Sequence, residues 1–109
     1  MDEIRESHAP LQEEELLVKF SKPYSFEGQT YTEIDLSGME NLTTQDMVEA
    51  ERYLNRTKVI SSTPEMTIGY ACSIAATASG MPVEFFERLP VREAVKVKAC
   101  VVNFFYSEA

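Results

Sequence analysis

Few side chains in this sequence could do covalent or acid–base chemistry, and their spacing does not bring them together. The single histidine, His8, stands in an acidic N-terminal stretch, where a ligand or general base would lack the packed neighbours that preorganise a site. The two cysteines, Cys72 and Cys100, are far apart and set in apolar surroundings. A thiol in such a setting is a small buried hydrophobe, and a nucleophilic one would need a base beside it. Glu65 and Glu84 could form an acid–base pair, but both fall where a helix N-terminus favours negative charge. There is no CxxC, no HExxH, no phosphate loop and no glycine-rich dinucleotide turn. The expectation is a non-enzymatic chain with no catalytic, metal or cofactor site.

What the sequence does offer is the chemistry of contact. Phe85-Phe86 and Phe104-Phe105-Tyr106 concentrate aromatic rings in two short stretches. Adjacent helical positions point about 100° apart, so one small core is expected to take one ring of each pair and leave the other outside. Phe86, spaced to meet Leu89, and Phe105, spaced to meet Val102, are assigned to the core. Phe85, Phe104 and Tyr106 become the candidate partner-binding residues, because outward aromatic anchors carry much of the energy at protein interfaces.

Composition sets the frame around them. A length of 109 residues gives one domain, and 44% hydrophobic with 26% charged residues is ordinary for a folded one. The formal charge of −8 disfavours nucleic acid and anionic membranes as direct partners, since both are bound through clustered Lys and Arg. Asp2, Glu3, Glu6, Glu13, Glu14 and Glu15 crowd the N-terminus against Arg5 alone. Residues 1–14 are therefore read as an acidic, flexible tail and 15–109 as a single domain. Sparse cysteines and the lack of a secretory pattern point to reduced thiols in a cytoplasm. Met66 to Val83 is uncharged, but its Thr, Ser, Gly and Pro residues suit a buried soluble helix and a turn better than a membrane span.

The elements that would position the aromatics follow from local signals. Leu16, Val18 and Phe20 alternate with Leu17, Lys19 and Ser21, and Thr30, Thr32 and Ile34 alternate approximately with Tyr31, Glu33 and Leu36. With Glu27-Gly28 between them they form a β-hairpin, in which Pro23 should end the first strand or lie on an edge. Thr43 with Asp46 caps a helix whose face is Met47, Ala50, Tyr53 and Leu54. Asn55 to Ser62 is a loop. Thr63-Pro64-Glu65 starts a second helix that stops at Gly80, and its small residues would let another helix approach closely. Pro82 opens a short helix through Leu89. Pro90 opens a last one to about Tyr106, with a face of Val91, Ala94, Val95, Val101, Val102 and Phe105, although Val95 to Lys98 also alternates like a strand. The fold class is α+β, predominantly helical: an N-terminal hairpin and about four helices.

This ordered set of features carries a resemblance. It runs from Lys22-Pro23, Gly28 and Tyr31, through Thr43–Asp46, to Ala75-Ala76 and Ser79-Gly80-Met81-Pro82. It continues with Phe86 and Leu89-Pro90 and closes on Asn103-Phe104-Phe105. From about Leu16 to Phe105 the chain resembles the small tail assembly chaperones of long-tailed bacteriophages and prophages, in particular the Mu-like contractile-tail group. The resemblance implies helix for the ambiguous last segment and no enzymatic activity. Its implied role is to bind the tape-measure protein and keep it soluble until tail-tube subunits polymerise around it. It also implies self-association, a place in the host cytoplasm, and absence from the mature virion. In many relatives a ribosomal frameshift adds a C-terminal extension that recruits tail-tube protein, and a chain stopping at Ala109 would be the short form. Two alternatives stand beside it: a structural component of the tail or head–tail joint, and an acidic DNA-mimic inhibitor. The mimic is weakened by the charge distribution, since residues 16–109 hold twelve acidic residues against nine basic ones.

Overall fold

The computed structural model describes residues 13–58 and 60–107, and the expectations placed on the acidic tail and on His8 lie outside them. A 3-10 turn at Glu13–Leu16 leads into β1 (Leu17–Phe26), which pairs antiparallel with β2 (Gln29–Asp35). Phe26 faces Gln29 across a two-residue turn in which Glu27 and Gly28 both have positive φ, 50° and 83°. This is the mirror-image turn whose twist matches that of the flanking strands. Leu16, Val18 and Ile34 are buried and Phe20 is half-buried, so the expected alternation of β1 faces the core, whereas in β2 only Ile34 does and Thr30 and Thr32 are exposed.

Pro23 neither ends β1 nor interrupts it. Between the Lys19–Glu33 and Tyr24–Tyr31 pairs, β1 advances five positions while β2 advances two. The surplus residues bulge out of the ladder, where a missing N–H has nothing to donate to. Glu93 takes up the orphaned backbone of this bulge. Its Oε2 accepts the Ser21 N–H at 2.9 Å, and the residue is only 4% exposed. Lys96 Nζ stands 3.1 Å from Oε1 as an ion pair, and donates to the Lys19 carbonyl at 3.0 Å and to Ser21 Oγ at 2.9 Å.

A 3-10 turn at Ser37–Asn41 precedes α1 (Thr44–Arg56). The Asp46 carboxylate accepts the Thr43 backbone N–H at 2.9 Å, closing the helix start as the sequence implied. Ala50 and Leu54 are buried, but Met47 is 40% exposed and does not join them. The helix also runs to Arg56, into the stretch expected to be loop. Thr63 does not cap the next helix. Pro64–Met66 makes a single 3-10 turn, and α2 (Ile68–Ser79) starts afresh with Thr67 Oγ1 accepting the Tyr70 N–H at 3.2 Å. Gly80, at φ 76°, ends it.

α2 is the hub of the molecule. It packs against α1, α3 (Val83–Glu87), α4 (Val91–Tyr106) and the Ser37–Asn41 turn. Its Ala71, Cys72 and Ala75 are buried, so the small residues expected to let another helix approach closely do so for the chain's own helices. At Gly38 a Cβ would stand 2.2 Å from the Ala78 carbonyl oxygen, so only glycine lets this turn cross the end of α2.

The ambiguous last segment is helical, and its inward face overlaps the expected one only in part. Glu93, Val97, Cys100 and Val101 are buried, while Val91 and Val95 are 79% and 56% exposed. Of the expected face Val101 is buried and Ala94, Val102 and Phe105 are half-buried, and capture of Glu93 by the bulge turns the helix so that only Val91 and Val95 lie outside.

Candidate functional site

Phe85 does not reach the surface. It is wholly buried, with ring centroids of Tyr24, Phe26 and Tyr31 within 5.0–5.3 Å, all edge-on. Tyr24 Oη donates to the Phe85 carbonyl at 2.8 Å, tying the hairpin to α3. Phe86 is buried as well. The expectation that one ring must point outward fails because α3 is covered on two sides, by the hairpin and by α2, so divergent rings both find a core. Aromatic edge-to-face packing of this kind adds to the burial itself.

The C-terminal trio behaves differently. Phe104 and Phe105 are half-buried, the Phe105 ring standing edge-on to Tyr70 at 5.9 Å, and Tyr106 is 58% exposed. These three rings form one wall of an open groove of about 560 Å³, whose other walls come from Met39, Leu42 and Met47. Glu40, Glu51 and Glu65 stand on its rim. Tyr106 Oη donates to Glu65 Oε2 at 2.7 Å, which holds the Glu65 carboxyl below its ordinary pKa and the Tyr106 phenol above its own. At neutral pH the pair is a carboxylate receiving a phenol proton donor.

A second groove, of about 500 Å³, opens on the outer stripe of α4. Val91, Ala94 and Val95 face Ile68, Gly69 and Tyr53 across it, with Cys72, Phe86 and Leu89 at the bottom. Glu87 and Lys98 give its rim both signs of charge, and Tyr53 Oη donates to Glu87. Burial, helped by Glu87, pushes the Cys72 thiol up to about 11, and burial alone does the same for Cys100. Both thiols are free and neutral, unsuited to nucleophilic work. Among the described residues no group of His, Cys, Asp and Glu could hold a metal ion, and no helix is long and apolar enough to cross a membrane.

Both grooves present apolar side chains on the surface, and the order of elements that makes them has a counterpart elsewhere. A family model described as phage tail assembly chaperone proteins, E, or 41 or 14, matches residues 17–106. The chain belongs to this family. The matched span begins with the first residue of β1 and ends with the last of α4, so both grooves lie within the family domain. No curated protein and no solved structure matches the chain. Membership in a chaperone family implies a non-catalytic role, in line with the chemistry of the buried thiols.

Of the site residues read from the sequence, the chaperone brings Phe104 and Tyr106 together in one groove and withdraws Phe85 into its core. The reading missed Met39, Met47 and the three rim carboxylates. They come from three separate elements, and no local spacing connects them. The exposed Val91 and Val95 were visible as apolar residues, but were assigned to the wrong side of the helix.

Proposed function

We propose that this chaperone binds the tape-measure protein of its phage and keeps it soluble while the tail assembles. The carrying observation is the groove at the C-terminal end of α4, where the half-buried Phe104 and Phe105 and the exposed Tyr106 and Met47 leave apolar surface open. A long helical protein with apolar faces aggregates before its assembly partners arrive. A groove that accepts one apolar helical face covers that surface in the helix-in-groove manner. On this reading the chaperone works in the host cytoplasm and leaves before the virion is complete.

Self-association belongs to the same proposal and falls to the second groove. Across a two-fold axis the Glu87 of one copy meets the Lys98 of the other, around the exposed Ile68, Val91 and Val95.

Co-expression with the tape-measure protein from the same genome tests the proposal. The wild-type chaperone should raise the soluble yield of that protein and co-purify with it. Met47→Glu and Tyr106→Ala, both at exposed positions, should fold normally yet lose most of the co-purified material. A tape-measure protein that stays insoluble and unbound beside abundant wild-type chaperone would overturn the reading.

A further inference from the structure

The groove at the end of α4 has a rim of a single sign. Glu40 comes from the Ser37–Asn41 turn, Glu51 from α1 and Glu65 from the Pro64–Met66 turn, and among the described residues no Lys or Arg lines the groove beside them. Among the described residues none of the three is in an ion pair. Glu65 is held in place by the Tyr106 hydroxyl, so the charge is aimed rather than loosely solvated. The second groove, with Glu87 and Lys98, has no such bias. Beneath the rim the walls are methionine and phenylalanine. Thioether side chains adapt to varied apolar anchors, which suits recognition of a repeated helical pattern more than of one unique sequence.

Two occupants are disfavoured by charge. A second copy would bring the same acidic rim and a chain of net charge −8. The chain's own N-terminal stretch, with Asp2, Glu3 and Glu6 against Arg5, would meet like charge as well. Carboxylates around an apolar trough complement cations around an apolar stripe.

We propose that this groove takes an amphipathic helix of a partner, its apolar anchors flanked by Lys or Arg at the neighbouring positions of the same face. The volume of about 560 Å³ accommodates the roughly three anchors that a helix offers at i, i+3 or i+4, and i+7. The inference rests on the tape-measure protein being the partner, and it names the segments of that protein that are bound: apolar helical stretches bordered by basic residues. Rim charge of this kind steers encounter and fixes register, so the complex weakens as salt rises.

The test compares two chaperone variants of equal net charge. In one, Glu40→Gln, Glu51→Gln and Glu65→Gln remove the rim. In the other, Glu27→Gln, Glu33→Gln and Glu84→Gln remove three carboxylates elsewhere. Thermal melts establish that both fold. Affinity for the tape-measure protein is then titrated at low and high salt, alongside two synthetic helices of about 18 residues, one of Leu and Lys and one of Leu and Glu. The rim variant should bind the tape-measure protein and the Leu/Lys helix about tenfold more weakly at low salt, with a flatter salt dependence, as expected of three exposed ion pairs. The control variant should bind like wild type, and the Leu/Glu helix should bind none of them. Equal binding of the Leu/Lys helix by the two variants would overturn the inference, whatever the tape-measure protein does. A wild-type chaperone that binds the Leu/Lys helix through its rim and ignores the tape-measure protein would overturn the proposed function and, with it, the assignment of tape-measure segments, while the groove's preference for basic-flanked helices would stand.

Discussion

At the scale of single residues, two substitutions separate the core from the binding surface. Phe85 is fully buried among four hairpin rings and Phe86, so Phe85→Ala should cost about 3–5 kcal/mol, as large-to-small changes in packed cores do. Stability of a domain this size is on the order of 5–15 kcal/mol, so the variant should melt far lower or fail to fold. Tyr106→Ala should melt close to wild type, and thermal denaturation of the two proteins side by side checks the contrast. Gly38 gives a backbone counterpart. A methyl group there would meet the Ala78 carbonyl oxygen at 2.2 Å, and two backbone segments must move apart to admit it. Gly38→Ala should therefore destabilise by about 1–3 kcal/mol, the usual cost of overpacking, measured by urea unfolding. Neither outcome was legible in the sequence. Phe85 looked surplus because a lone helix cannot bury two divergent rings, and nothing local marks Gly38 because its neighbour at Ala78 is distant in the chain.

Among the elements, the join between β1 and α4 makes the sharpest prediction. Burial works to raise the Glu93 pKa, but the Lys96 pair and the backbone N–H groups of Ser21 and Lys22 outweigh it, and the net shift is downward. A carboxyl whose folded pKa is depressed adds stability that is fully present above its ordinary value of 4.5, and that is lost as pH falls through the lower folded value. Glu93→Gln should thus melt below wild type at neutral pH. The gap should close as pH drops below 4.5, in melts recorded across an acid series. The same residue explains why Val91 and Val95 lie outside although the expected inward face included them. A charged side chain beside Val91 and Val95 argues for an outward Glu93, and only the bulge on a distant strand supplies the donors that bring it inside. Elements set by local chemistry were legible without such help: the two-residue turn at Glu27-Gly28, the Thr43–Asp46 cap, and the left-handed stop at Gly80. The start of α2 was misplaced because Thr63-Pro64-Glu65 and Thr67 offer rival caps four residues apart, and sequence alone does not rank them.

For the whole molecule, the order of hairpin and helices matched the expectation, whereas the groove had to be assembled in space. Its aromatic wall could be read from Phe104 and Tyr106. Its methionines and carboxylates come from segments up to 67 positions away from that wall, and they meet only because α2 gathers every helix around itself. The central claim is that a tape-measure helix lies in this groove. Amide hydrogen exchange of the chaperone, free and bound to the tape-measure protein, tests it most directly. Exposed groove backbone opens locally at low cost in the free protein and slows when covered. New protection is expected in the Ser37–Asn41 turn, the first turns of α1, Pro64–Met66 and the last turn of α4, with the hairpin unchanged. Protection confined to the hairpin or to the Val91–Val95 side, with the groove exchanging as in the free chaperone, would contradict the account.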